Sequence, residues 1–211
     1  MKYIIMCGGE YPAWESPRQL IEIHGEKIIE RTIRLLRENG VEDIAISSND
    51  PAFSDFGVPV LRHSNEYYAR AYNDMDGDWC NCFYLTDFPV CYIFGDVVFS
   101  PEAIKTIVET ETEDIAFFGS SFPFSPKYPK SWIEPFAFKV VNTDHLKHAI
   151  DDVKRLERIG VFGRRPIAWE VWNVISGGDP NVINPDSYVN INDYTCDIDK
   201  PEEVVLFENL I

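Results

Sequence analysis

Positive charge is what this sequence has least of. Lys and Arg number 19 against 35 Asp and Glu, a formal net charge of −16 over 211 residues. A field of that sign repels a phosphate backbone, and no Lys/Arg run offsets it, which argues against nucleic acid as a partner. A small anionic substrate stays compatible if local cations or a metal hold it. Long apolar runs are also missing. The first one, residues 3–7, stops at glycines, well short of the roughly 20 residues that cross a bilayer and of the apolar core of a signal peptide. The expectation is a soluble, cytoplasmic protein with no membrane partner. Cysteine pairs of zinc or redox spacing are absent as well. Cys7, Cys80, Cys82, Cys91 and Cys196 are odd in number, and no two enclose a two-residue gap, so they read as buried free thiols.

What is present is the alternation of an α/β domain. Residues 3–7 form a continuous apolar run, as in a strand buried on both faces of a parallel sheet. From 26 to 38, Ile29, Ile33 and Leu36 fall on one helical face, and Asn39-Gly40 supplies a left-handed stop. Residues 44–47 are the next buried strand, so the opening is a right-handed strand–helix–strand crossover. Further strands are expected over 58–61, 90–94, 114–118 and 134–141. Helices are expected over 101–109, capped by Ser100 with Pro101 in its first turn, and over 144–158 and 201–210. Pro123, Pro126 and Pro129 make 122–132 a loop. Trp169 and Trp172 read as core. With no repeat and no linker, the prediction is one domain over 1–211, a three-layer αβα sandwich around a mainly parallel sheet.

In such a fold chemistry gathers at the carboxyl edge of the sheet, and four clusters fall there. Gly8-Gly9 follows the first strand directly. Without a Cβ, their amides can approach an anion closely, although neither the dinucleotide nor the Walker spacing is present. Arg18, in Pro17-Arg18-Gln19-Leu20, stands at the far end of that loop. It can fold back on phosphate oxygens or be a solvated cation. Asp96, in Phe94-Gly95-Asp96-Val97, ends the strand at 90–94 and is either a turn cap or half of a metal pair. Asp197 and Asp199 in Cys196-Asp197-Ile198-Asp199-Lys200-Pro201 share one face of an extended segment. Asp199 can equally cap the helix that Pro201 opens.

In this order the clusters resemble the nucleotidyltransferases of the glycosyltransferase-A-like fold, a Rossmann-like architecture. That group includes sugar-phosphate nucleotidylyltransferases, choline-phosphate cytidylyltransferases and molybdenum-cofactor guanylyltransferases. Its opening, Leu-Ala-Gly-Gly-x-Gly-x-Arg followed by Pro-Lys-x-Leu, is matched by Met6-Cys7-Gly8-Gly9-Glu10 and Pro17-Arg18-Gln19-Leu20. The chain departs from it at Tyr11, where the third glycine would stand, at Ala13 in place of the loop arginine, and at Arg18 in place of lysine.

The resemblance implies transfer of a nucleoside monophosphate from an NTP to the phosphate of a small sugar-phosphate or phospho-alcohol, with release of pyrophosphate. It implies Cys7, Gly8, Gly9, Glu10, Arg18 and Asn81 as nucleotide-binding residues, with Asn81 reading the base. Mg²⁺ would be held by Asp96 and Asp199, with Asp197 as an alternate ligand, and Arg18 and Asp96 would carry catalysis. Glu134, Lys139, Arg164 and Arg165 would face the co-substrate. On this reading Asp96→Asn abolishes Mg²⁺-dependent transfer and leaves the metal-free protein as stable or slightly more so, because two facing carboxylates repel. Two alternatives stand: a glycosyltransferase of similar architecture, although Gly95-Asp96-Val97-Val98 lacks that class's second acid, and a non-catalytic nucleotide-binding protein. His145 and His148 lack a third ligand and read as a solvated face. Asp74-Met75-Asp76-Gly77-Asp78 has its glycine one place early for a calcium loop and reads as a turn.

Overall fold

The structure is a computed structural model, and it describes residues 1–8, 14, 16–63 and 79–211. Eleven strands are formed among these residues. They are β1 (Lys2–Met6), β2 (Glu22–Ile23), β3 (Glu26–Lys27), β4 (Ile44–Ser47), β5 (Val60–Leu61), β6 (Val90–Phe94), β7 (Val97–Val98), β8 (Ile115–Gly119), β9 (Pro135–Val140), β10 (Val189–Asn190) and β11 (Cys196–Asp197). The helices are α1 (Ile28–Glu38), α2 (Pro101–Glu109), α3 (Thr143–Arg158), α4 (Ala168–Ile175) and α5 (Val204–Leu210).

The first crossover forms as its sequence dictates. Four of the five residues of β1 are buried, and β1 pairs in parallel with β4 from Tyr3↔Ile44 to Met6↔Ser47. Between them α1 buries Ile29, Ile33 and Leu36. Its start is fixed by the Glu30 carboxylate, which accepts the Lys27 amide at 3.0 Å, and its end by Gly40 at φ +77°. The seven-stranded sheet runs β10-β8-β9-β6-β1-β4-β5. All pairings are parallel except those of β9 with β6 and with β8. The three-layer α/β prediction holds. Helices α1 and α2 pack on each other, and α3 packs on α4. Trp169 and Trp172 of α4 lie against Phe117 of β8, which places them in the core as expected.

Two differences matter for the site. Residues 20–23, whose apolar pattern after the Pro17 loop reads as an extended segment, form no continuous strand. Arg18–Leu20 is a 3₁₀ turn, and β2 with β3 makes a small hairpin instead. The closing helix begins with a 3₁₀ turn over Pro201–Glu203 and becomes α-helical only at Val204. Proline lacks an N–H and fixes its own φ, which suits a tight first turn.

Candidate active site

The carboxyl ends of β1 and β6 lie side by side, and the site is built on that junction. Met6 pairs with Phe94, and the Gly95 amide donates to the Met6 carbonyl at 3.1 Å. A Cβ on Gly95 would stand 2.6 Å from that carbonyl oxygen and 2.8 Å from the Cys7 sulfur. Only glycine lets the chain pass there, and the next residue is Asp96. Past Asp96, β7 pairs antiparallel with β11, Val97↔Asp197 and Val98↔Cys196. The Ile198 amide donates to the Asp96 carbonyl at 3.2 Å. This two-stranded clip carries Asp197 and Asp199 alongside Asp96 from about a hundred residues away.

Arg18 completes the junction. Its Nη2 donates to Asp96 Oδ2 at 2.5 Å, and its Nη1 to Asp199 Oδ1 at 3.0 Å and to the Ile198 carbonyl at 3.1 Å. The Arg18 side chain is 7% exposed, so the reading of a solvated loop cation is overturned. One planar guanidinium holds both carboxylates, an arrangement a lysine ammonium matches poorly. Trp14 pins the same loop, with its indole N–H donating to the Asp199 carbonyl at 3.1 Å.

A second cation, which the sequence reading did not single out, sits beside the first. Lys130 Nζ donates to Asp199 Oδ2 at 2.7 Å, to Glu134 Oε1 at 3.3 Å and to Asp197 Oδ1. It lies in the proline-rich loop, where charge alone marks a solvated residue. The available signal was Glu134 four residues on. Burial pushes the Asp197 and Glu134 carboxyls up, and their mutual repulsion adds to the rise at Asp197. Burial also opposes ionisation of Asp199. There the hydrogen bond and charge of Lys130, with the charge of Arg18, prevail and hold its carboxyl below the usual range.

Arg18, Asp96, Glu134, Arg165, Asp197 and Asp199 line a common cavity of about 270 Å³. It therefore brings together six expected positions, while Gly8, just past β1, is not among its described lining residues. Gly9 and Glu10 lie outside the described residues, as do Tyr11, Ala13 and the acidic turn at 74–78. The remaining expectations require correction. The Cys7 amide donates to the Ser47 carbonyl at 2.9 Å, so it is committed to the sheet and does not face an anion. Its thiol is buried and pushed well above its usual range by burial and by the nearby Asp96 charge. Asn81 faces a different depression with Arg62, His63 and Lys154, and accepts from Lys154 at 3.2 Å. Lys139 is at the wrong end of the molecule. Strand β9 runs antiparallel to β6, so advancing along β9 leads away from the cleft, and Lys139 Nζ instead caps the carbonyls of Ile107, Val108 and Thr110. Arg164 pairs with Glu170 of α4 at 2.8 Å and does not line the cavity.

With this geometry in hand, likeness to known proteins becomes informative. Residues 3–77 match the model of the MobA-like NTP transferase domain. Among solved structures, one similar fold is a Bacillus anthracis protein described as a glucose-1-phosphate thymidylyltransferase. It is 16% identical with a TM-score of 0.58, and the match covers 99% of this chain and 93% of that one. Another is the inositol-1-phosphate CTP transferase of T. maritima, at 15% identity and a TM-score of 0.55, covering 100% and 96%. The chain has the glycosyltransferase-A-like fold of nucleotidyltransferases. A comparison with curated protein sequences found no match. Within this nucleotidyltransferase fold, the matched segment ends before Asp96, so the acidic half of the cavity rests on geometry rather than on sequence likeness. No helix among the described residues is long and apolar enough to cross a membrane.

Proposed function

We propose that this protein is a Mg²⁺-dependent nucleotidyltransferase that moves a nucleoside monophosphate from an NTP to the phosphate of a small sugar-phosphate or phospho-alcohol. The observation that carries the reading is Arg18, buried at the end of the loop after β1 and bonded at once to Asp96 and Asp199. It lies inside the segment that matches an NTP transferase domain. The chemistry needs little from the protein beyond placement. An oxygen of the acceptor phosphate forms a bond to the α-phosphorus, the α–β bridging bond breaks, and pyrophosphate departs with the electron pair. The attacking phosphate is already ionised, so no protein base is required. Positioning and charge neutralisation do the catalysis.

The donor set suits a hard divalent cation, because it consists of carboxylate oxygens. Asp96 and Asp199 would hold Mg²⁺, which supplies neutralisation of phosphate oxygens when bound. Arg18, released from part of its carboxylate load, stabilises the leaving pyrophosphate. Glu134 would accept from acceptor hydroxyls, and Arg165, which lines the same cavity, would bind the acceptor phosphate. Both similar structures are described as acting on phosphorylated polyols, a cyclic sugar and inositol, which supports an acceptor of that kind.

The test is pyrophosphate release from each of the four NTPs against a panel of sugar and polyol phosphates. Mg²⁺-dependent release with one NTP is expected. Consumption of a nucleotide-sugar without pyrophosphate release would assign a glycosyltransferase, and NTP binding without turnover in any combination would assign a binding protein.

A further inference from the structure

The ammonium of Lys130 is not used by the proposed reaction, yet it is bonded to three of the carboxylates that line the cavity. Its side chain is 3% exposed, and its Nζ lies 5.4 Å from the centre of the Trp132 ring. An ammonium has three donors and no acceptor, and here three carboxylates surround it: Asp199, Asp197 and Glu134. The same three acids offer ligand oxygens within 4.8 Å of one another, the only such group among the described residues. Carboxylates at that spacing repel unless a cation lies among them. A divalent ion arriving at Asp199 would meet Lys130 on one side and Arg18 on the other, and like charges a few ångströms apart in a buried pocket repel strongly.

We propose that Lys130, while it holds Asp197 and Glu134, is an internal counter-cation that competes with the divalent metal for Asp199, and so sets the metal affinity of the site. This rests on the nucleotidyl-transfer reading only for the role of the metal. The competition itself is a property of the side chains. Lys130 holds the acids in place when metal is scarce, and metal binding requires it to release at least Asp199. A neutral side chain of similar length removes the competitor and leaves the oxygens in the same clip between β7 and β11.

The experiment is titration of the full-length protein with Mn²⁺, free ion being followed by electron paramagnetic resonance, with no nucleotide present. Lys130→Met should bind Mn²⁺ about tenfold more tightly than the unaltered protein or beyond, and Lys130→Arg, which keeps the charge, should bind it no more tightly. Equal affinity in the Met variant and the unaltered protein overturns the proposal, as does weaker binding in Lys130→Met or no Mn²⁺ binding by any of the three. Should Lys130→Met fail to fold, acetic anhydride labelling of the unaltered protein decides instead. Mn²⁺ should raise the labelling of Lys130 as it leaves the carboxylates, and unchanged labelling overturns the idea. Pyrophosphate release enters neither readout, so failure of the nucleotidyl-transfer reading is distinguishable from failure of this one.

Discussion

At the residue scale, Arg18 decides what can be expected of the acids around it. Two facing carboxylates without a partner would favour neutralising Asp96. With Arg18 between them, Asp96→Asn instead weakens a buried charge-assisted bond. We expect the metal-free variant to lose about 1–3 kcal/mol, read from urea unfolding, and to lose Mg²⁺-dependent transfer. A variant as stable as the parent would mean the pair contributes nothing to folding. Full activity would remove Asp96 from the metal site. Arg18→Ala should be costlier, about 3 kcal/mol or more, because it leaves the buried Asp96 carboxylate without its cation, and Mg²⁺ should restore part of that loss by replacing the missing charge. Identical unfolding curves for Arg18→Ala with and without Mg²⁺ would show that the metal does not reach these acids. Much of this was readable beforehand. Gly8, Arg18, Asp96 and Asp199 stand at ends of predicted elements, where side chains of that chemistry have reason to be. Lys130 was not readable, since a lysine in a proline-rich loop carries no periodicity that separates a buried ammonium from a solvated one.

At the scale of elements, the site depends on how closely β6 passes β1. Gly95 allows that approach, and the contacts a Cβ would make are to a backbone carbonyl and a buried sulfur, neither of which can yield easily. Gly95→Ala should therefore destabilise the fold by about 1–3 kcal/mol, the usual range for overpacking. It should also weaken Mn²⁺ binding, because Asp96 is the next residue. Unchanged stability in this variant would show that the strand ends can part without cost. The clip between β7 and β11 is a second device of this kind. Each strand is only two residues long, too short to be seen in a hydropathy pattern, yet their pairing brings three acids into one cavity. Boundaries set by local chemistry were legible, as for α2, where Ser100 Oγ accepts the Ala103 amide at 2.9 Å and Pro101 follows. The direction of β9 was not legible, since alternation of side chains is the same in parallel and antiparallel strands. That ambiguity is what misplaced Lys139.

At the scale of the whole molecule, a net charge of −16 opposes the approach of any triphosphate, while Arg18, Lys130 and Arg165 act only at short range. Screening should therefore help. Raising ionic strength from about 0.01 M to about 0.15 M, where the Debye length shrinks from roughly 30 Å to roughly 8 Å, should lower the KM for NTP at fixed free Mg²⁺. A KM that rises with salt would mean the local cations dominate the encounter. The sequence alone determined the α/β layering, the first crossover and the edge of the sheet where acids and glycines collect, because burial and turn chemistry are written in local periodicity. The tertiary structure decided the order of the strands, the antiparallel β9, and the meeting of Arg18 with Asp96 and of Lys130 with Asp197 and Asp199. Those partners are separated by 78, 67 and 69 residues, and contacts at such separations depend on which strands pair, a choice that no local pattern encodes.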